Sequence, residues 1–252
     1  MLENSSMNAV SSQVAIVTGA SRGIGAAIAR RLAREGFAVA VTYASNNAAA
    51  DQVVSDIHAA NGRAAAIKVD VRNATEVTAL FDETEATLGK TMLLVNNAGI
   101  MTLAPISEMD DAAFDTMLSI NLKGVFNMLR EAARRLEAGA KIVNISTSIT
   151  RLASPTYGPY AATKAGVEML TAILAKELRG RGVTVNAVAP GPTATDLFFR
   201  GKSPDLIDKI AKLAPLERLG EPDDIARVVA MIARRDGDWI NGQTIFVNGG
   251  AA

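Results

Sequence analysis

From residue 13 to the end of the chain, short apolar runs alternate with stretches in which apolar residues recur every three or four positions. Val14-Ala15-Ile16-Val17 is the first run, and it ends in Thr18-Gly19 before an amphipathic helix from about Gly23 to Glu35. Val39–Thr42 reads as a second strand, followed by a helix over roughly 47–60 that Asn61-Gly62 closes. Ala65–Val69 precedes Asp70, a helix runs from Ala74 to Leu88, and Met92–Val95 leads into Asn96. Lys141–Ile145, Val183–Val188 and Thr244–Val247 continue the pattern. Apolar strands separated by helices are buried on both faces, so the pattern predicts an α/β chain with one seven-stranded parallel sheet, a doubly wound Rossmann fold. No linker divides residues 13–252. The Pro-, Gly- and Thr-rich stretch from Gly191 to about Leu216, with a helical piece near 205–213, is too long for a simple connection and reads as a substrate lid. Residues 1–12 read as a flexible leader.

Composition narrows the function. The 252 residues carry 26 basic and 26 acidic side chains, with no like-charge block, so neither nucleic acid nor a membrane surface is an expected partner. Cysteine is absent, which excludes disulfides, thiolate metal sites and a cysteine nucleophile and suits a reducing cytoplasm. No metal is expected. No apolar run approaches the ~20 residues a membrane helix needs.

Two motifs carry chemistry. Gly19, Gly23 and Gly25 fall in Thr18-Gly19-Ala20-Ser21-Arg22-Gly23-Ile24-Gly25, between the first strand and the first helix. Glycines there permit a tight turn and let backbone N–H groups approach a pyrophosphate at the positive end of the helix. The second strand ends in Tyr43-Ala44-Ser45-Asn46, and no acid occurs from Ala38 to Ala50. A carboxylate there would bind the ribose hydroxyls of NAD and repel a 2′-phosphate. Its absence, with Arg22 nearby, favours NADP(H) over NAD(H); the alternative is that neutral residues fail to discriminate. The second motif is Tyr160 and Lys164, four apart and therefore on one helix face. An ammonium near a phenol favours the phenolate, so the pair predicts a tyrosine pulled below its usual value near ~10 and able to act as a general acid/base.

With these motifs, Asn96-Asn97-Ala98-Gly99, Asn121, Pro190-Gly191 and the ending Asn248-Gly249-Gly250, the chain resembles the short-chain dehydrogenase/reductase family over essentially residues 13–250. The members it is most similar to are the 3-oxoacyl-(acyl-carrier-protein) reductases and the tetrahydroxynaphthalene reductases. The resemblance implies that Ser21, Arg22 and Ile24 with the glycine turn hold the cofactor phosphates, and that Asp70 and Val71 flank the adenine. It implies Asn97, Ala98 and Gly99 as the floor, Pro190, Gly191 and Thr193 at the carboxamide, and the Thr195 hydroxyl on a phosphate. Tyr160 would protonate the alkoxide left by hydride transfer, Lys164 would tune it and hold the ribose, and Asn121 would carry a water to Lys164. A homodimer or homotetramer packed through the helix from Tyr160 to Leu178 and through the C-terminal strand is also implied.

The family's catalytic hydroxyl is a serine 13 residues before the tyrosine, and that position is Thr147, between Ser146 and Ser148. Strand alternation turns the two serines away from Thr147, but a one-residue shift would hand the role to either. The expected function is NADPH-dependent reduction of a ketone, either a 3-oxoacyl thioester or a cyclic or aromatic ketone. The alternatives are an alcohol dehydrogenase running the other way and a dinucleotide sensor without turnover. Tyr157 is expected to touch substrate or pack, Phe198 and Phe199 to form an apolar substrate wall, and His58 to be a solvated helix residue.

Overall fold

Seven parallel strands form one sheet in the order β3-β2-β1-β4-β5-β6-β7 in a computed structural model that describes residues 13–252. The proposed leader lies outside the described residues. The strands are β1 (Val14–Val17), β2 (Ala38–Tyr43), β3 (Arg63–Lys68), β4 (Thr91–Asn96), β5 (Lys141–Ile145), β6 (Thr184–Pro190) and β7 (Thr244–Val247). All seven sequence-predicted strands are present, with β3 starting two residues early and β6 running two residues further.

Among the described residues ten α-helices connect them: α1 (Gly23–Arg34), α2 (Asn47–Ala59), α3 (Ala74–Thr87), α4 (Asp111–Met117), α5 (Val125–Arg135), α6 (Ile149–Leu152), α7 (Gly158–Glu177), α8 (Asp196–Phe199), α9 (Pro204–Ala211) and α10 (Pro222–Ala233). Between α4 and α5 the chain winds as a π-helix over Leu118–Gly124. One face of the sheet packs against α1, α2 and α10 through residues such as Ile28, Leu32, Val53 and Ile225. The other packs against α3, α5 and α7 through Phe81, Met128, Val167 and Leu174. Side-chain alternation explains the division: Ala15 and Val17 of β1 belong to the first layer, Val14 and Ile16 to the second. Each large aliphatic side chain so buried contributes about 1.5–3 kcal/mol.

The order places β1 beside both β2 and β4. Connections on either side of this pair run to opposite faces, which opens a crevice at the carboxyl ends of the strands. Caps start the helices that border it. Asn46 accepts a bond from the Ala49 N–H at 3.0 Å and starts α2, while Pro159 in the first turn of α7 pre-sets the helical φ just before Tyr160.

Candidate active site

The glycine turn fits its crevice by shape. Gly19 has φ +62°, and a Cβ there would lie 2.9 Å from the Cα of Ala98. A Cβ on Gly25 would meet Asn97 Nδ2 at 2.4 Å and the Gly19 carbonyl at 2.5 Å, so only glycine lets α1 start this close to β4. Side chains lock the turn from below. The Thr18 hydroxyl accepts the N–H groups of Asn97 at 2.9 Å and Ala98 at 3.0 Å, and Asn97 Nδ2 donates to the carbonyls of Thr18 and Gly19. Asn97 thus acts on the floor by holding the loop above it.

Over this turn lies a cleft of about 520 Å³. The turn residues Gly19, Ser21, Arg22, Gly23, Ile24 and Gly25 line one side. Tyr43, Ala44, Ser45 and Asn46 line the β2 end, Asp70 and Val71 the β3 end, and Asn97, Ala98 and Gly99 the floor. The Arg22 side chain makes no hydrogen bond or ion pair among the described residues. Arg72, which the sequence reading passed over, also lines the cleft and clamps the Asp70 carboxylate at 2.6 Å, holding that carboxyl below its usual range. The sequence signal for it is an arginine two residues after the acid that follows β3.

A second cavity, of about 170 Å³, adjoins the first. Ser146, Thr147, Ser148, Tyr157, Tyr160 and Lys164 line its polar side. Ile149, Leu152, Leu197 and Phe198 line its apolar side, with Pro190, Gly191, Thr193 and Thr195 along the edge shared with the cleft. Phe198 is in the wall, but Phe199 is 41% exposed and outside it. The Thr195 hydroxyl caps α8, accepting from the Phe198 N–H at 3.2 Å, and so has a partner of its own. Thr193 Oγ1 donates to the Gly191 carbonyl at 2.9 Å.

The three hydroxyls at the end of β5 face different ways. The N–H groups of Ser146 and Ser148 bond the Val188 and Pro190 carbonyls of β6 at 2.7 and 2.8 Å, which extends the strand alternation past Ile145. The Ser146 hydroxyl donates to Glu168 Oε1, and that of Ser148 to the Ala189 carbonyl at 3.3 Å. Thr147 is left on the same cavity as Tyr160, close enough to lower the titration of the phenol, and its hydroxyl oxygen accepts the Ile149 N–H at 3.4 Å.

The pKa expectation for Tyr160 is overturned. Burial pushes the phenol up to about 12, only partly opposed by Thr147, and Tyr157 nearby pushes the same way. Lys164 does not offset this, because its ammonium is directed elsewhere. Nζ donates to the Ile145 carbonyl at 2.8 Å and lies 6.0 Å from the centre of the Tyr160 ring. Burial lowers Lys164 itself from 10.5 to about 8. The sequence places both residues on one helix face but does not show that a strand-end carbonyl takes the ammonium.

Asn121 sits in the π-helical turn, 0% exposed. Its side chain pairs with the backbone of Ile100 in both directions at 2.9 Å, and a Cβ on Gly99 would lie 3.2 Å from Asn121 Oδ1 and 3.5 Å from Lys164 Nζ. Gly99 is therefore the point where Asn121 and Lys164 converge. A π-bulge at such a place is a common device for re-aiming one side chain. His58 lies away from both cavities, exposed on α2 with its ring Nε2 3.1 Å from the Ala64 carbonyl.

A glycine-rich crevice at the switch point of a doubly wound sheet, joined to a tyrosine–lysine pocket, defines a dinucleotide-dependent oxidoreductase. The comparisons with known proteins specify which. Residues 19–252 match the family model described as enoyl-(acyl carrier protein) reductase. A short-chain type dehydrogenase/reductase of Picea abies is 45% identical over 94% of this chain and 92% of its own length. A chloroplastic NADPH-dependent aldehyde reductase-like protein of Arabidopsis thaliana is 43% identical, over 94% and 93%. The crystal structure of a short chain dehydrogenase from Burkholderia cenocepacia J2315 in complex with NADP superposes with a TM-score of 0.90 at 36% identity, covering 97% of this chain and 99% of that one. The chain belongs to the short-chain dehydrogenase/reductase family and is an NAD(P)-dependent oxidoreductase.

Proposed function

We propose that the protein is an NADPH-dependent carbonyl reductase in which Tyr160 is the general acid. The observation that carries this reading is geometric: Thr147, Tyr160 and Lys164 line one cavity, and that cavity shares an edge with the cleft over the glycine turn. Burial raises the titration of the phenol, so Tyr160 holds a proton at neutral pH and has one to give. Bound NADPH would supply a hydride to the carbonyl carbon. Thr147 and Tyr160 donate hydrogen bonds to the carbonyl oxygen, and the Tyr160 proton passes to it as negative charge develops. Lys164 has three donors, of which the Ile145 carbonyl uses one, leaving two for the ribose hydroxyls. Asn121 fixes the Ile100 backbone beside Lys164 and offers the adjacent route for a water that resupplies the proton.

The cleft residues fit NADP(H). Arg22 is unpaired among the described residues, the Ser45 hydroxyl has no protein partner there, and the N-terminus of α2 presents its N–H groups at the same end. A 2′-phosphate meets complementary charge at this place, and the 2′-hydroxyl of NAD finds no carboxylate. Related structures hold NADP, and among the related plant proteins are an NADPH-dependent aldehyde reductase and an NADPH-dependent aldehyde reductase-like protein. The 191–216 stretch serves as the substrate lid, with Leu197 and Phe198 as its inner wall. An apolar wall facing a polar end suits a neutral carbonyl with an apolar substituent; 3-oxoacyl thioesters and cyclic or aromatic ketones are the candidate classes.

Self-association belongs to the same reading. Phe126 of α5 and Met169 and Ile173 of α7 are 44%, 61% and 44% exposed, an apolar face that a second copy would cover in a dimer or tetramer. A cytoplasmic setting is part of it too, to be checked by fractionation, since curated relatives include chloroplastic proteins.

The decisive experiment is Tyr160→Phe, assayed by NADPH oxidation against a panel of aldehydes and ketones. A fall in kcat of about 10²- to 10⁴-fold with NADPH affinity preserved is expected. Full turnover in that variant would remove Tyr160 from the chemistry.

A further inference from the structure

Glu168 lies one helical turn beyond Lys164 on α7, and its carboxylate reaches back to the end of β5. Oε1 accepts the Ser146 hydroxyl, and at 3.0 Å also the hydroxyl of Thr150. These donors stand one residue before and three residues after Thr147. The Thr150 hydroxyl has one proton, and the Thr147 carbonyl, also 3.0 Å away, shares it. One carboxylate oxygen therefore grips the segment on both sides of Thr147. Oε2 makes no hydrogen bond among the described residues.

We propose that Glu168 is a positioning residue that clamps the end of β5 so that Thr147, and neither neighbouring serine, presents its hydroxyl to Tyr160. The proposal rests on the assignment of Tyr160 and Thr147 to the proton-transfer site. Its physical content is competition for donors. A serine hydroxyl carries a single proton. With that proton on Glu168, Ser146 cannot donate to a substrate oxygen, and the buried strand end has no reason to rotate towards the cavity. Ser148 is occupied by the Ala189 carbonyl. Ser146, 3% exposed, has no water-facing alternative if the carboxylate is removed. The clamp also ties the helix carrying Tyr160 and Lys164 to the strand carrying Thr147, so the three groups keep their spacing.

The test compares Glu168→Ala with Glu168→Gln, whose amide oxygen still accepts both hydroxyls, each alone and with Thr147→Ala. Glu168→Ala is expected to lower kcat about 10- to 100-fold, the scale of a small misplacement of a catalytic group, with the KM for NADPH within about twofold. Glu168→Gln is expected to stay within about threefold of the parent. The pH dependence of kcat should move upward in Glu168→Ala, because Thr147 holds the Tyr160 titration down. Tyr157 and Lys164, the other titratable groups at the cavity, are unaltered. In the Thr147→Ala background the alanine change should add little. An equal loss with or without Thr147 would overturn the clamp, as would parent-like kcat and pH profile in Glu168→Ala. Should Glu168→Ala not fold, Thr150→Val removes one arm of the grip at a partly exposed site; an unchanged kcat there would also overturn it. Parent turnover is measured first: none with any carbonyl would sink the assignment of function, whereas normal parent turnover with an indifferent Glu168→Ala sinks the clamp alone.

Discussion

Exchanging Lys164 for methionine removes a buried charge while keeping an unbranched side chain of similar length. In the parent protein the residue is 4% exposed, has no ion-pair partner among the described residues, and bonds only the Ile145 carbonyl. Its displacement from 10.5 to about 8 corresponds to about 3 kcal/mol held against the charged form at neutral pH. The sign of the pH dependence follows. In the unfolded chain the lysine titrates at its ordinary value, so between pH 8 and 10.5 the unfolded state binds more protons than the folded one. Parent stability therefore rises with pH through this window, by about 3 kcal/mol in total, and Lys164→Met lacks that rise. The bond lost to Ile145 and any packing change are constant terms that cancel when the difference between the two proteins is followed against pH. Tyr160 is pushed up in the opposite sense and weakens folding only as pH rises from 10 towards 12, beyond most of the window and in both proteins. The assay is urea unfolding of both proteins by circular dichroism at pH 7, 8, 9, 10 and 10.5. Equal protein concentrations are needed, since any assembly adds a concentration-dependent contribution. The stability of Lys164→Met relative to the parent should fall by about 3 kcal/mol from pH 7 to 10.5. A difference that stays flat would show that Lys164 titrates at its ordinary value, and that burial of its ammonium carries no penalty.

Two further outcomes follow. Arg22→Ala should weaken NADPH binding about 10- to 100-fold, the range for losing one hydrogen bond to a charged group, and leave NADH binding nearly unchanged; an equal effect on both, read by fluorescence titration, would detach Arg22 from the 2′-phosphate. Met169→Glu puts a charge in the exposed apolar face of α5 and α7 and should lower the mass measured by light scattering towards that of one chain. An unaltered mass would exclude that face as the contact between copies.

The sheet was readable because the strands are dominated by apolar residues and each helix has its own period, so local pattern and burial agree. The cradle was readable for a similar reason: a glycine turn after β1 has few other uses. What the pattern did not contain were directions fixed by distant backbone. Lys164 and Tyr160 share a helix face, but the Ile145 carbonyl, 19 positions away, decides where the ammonium points. Whether Thr147 or a neighbouring serine faces the cavity depends on N–H bonds from Ser146 and Ser148 to β6, which composition cannot show. The π-turn at Asn121 is likewise unmarked in the sequence. Its Asn121 side chain finds both backbone partners on Ile100.

The Thr18 hydroxyl, which receives N–H groups from Asn97 and Ala98, joins parts of the chain 79 and 80 residues apart. A nascent chain emerging from the ribosome can pair β1, β2 and β3 early, yet it has no floor for the nucleotide until β4 has been made and docked beside β1. The groups proposed for proton transfer come later still, just after β5 and on α7. A dinucleotide that binds across this joint would stabilise only chains in which β1 and β4 have already met.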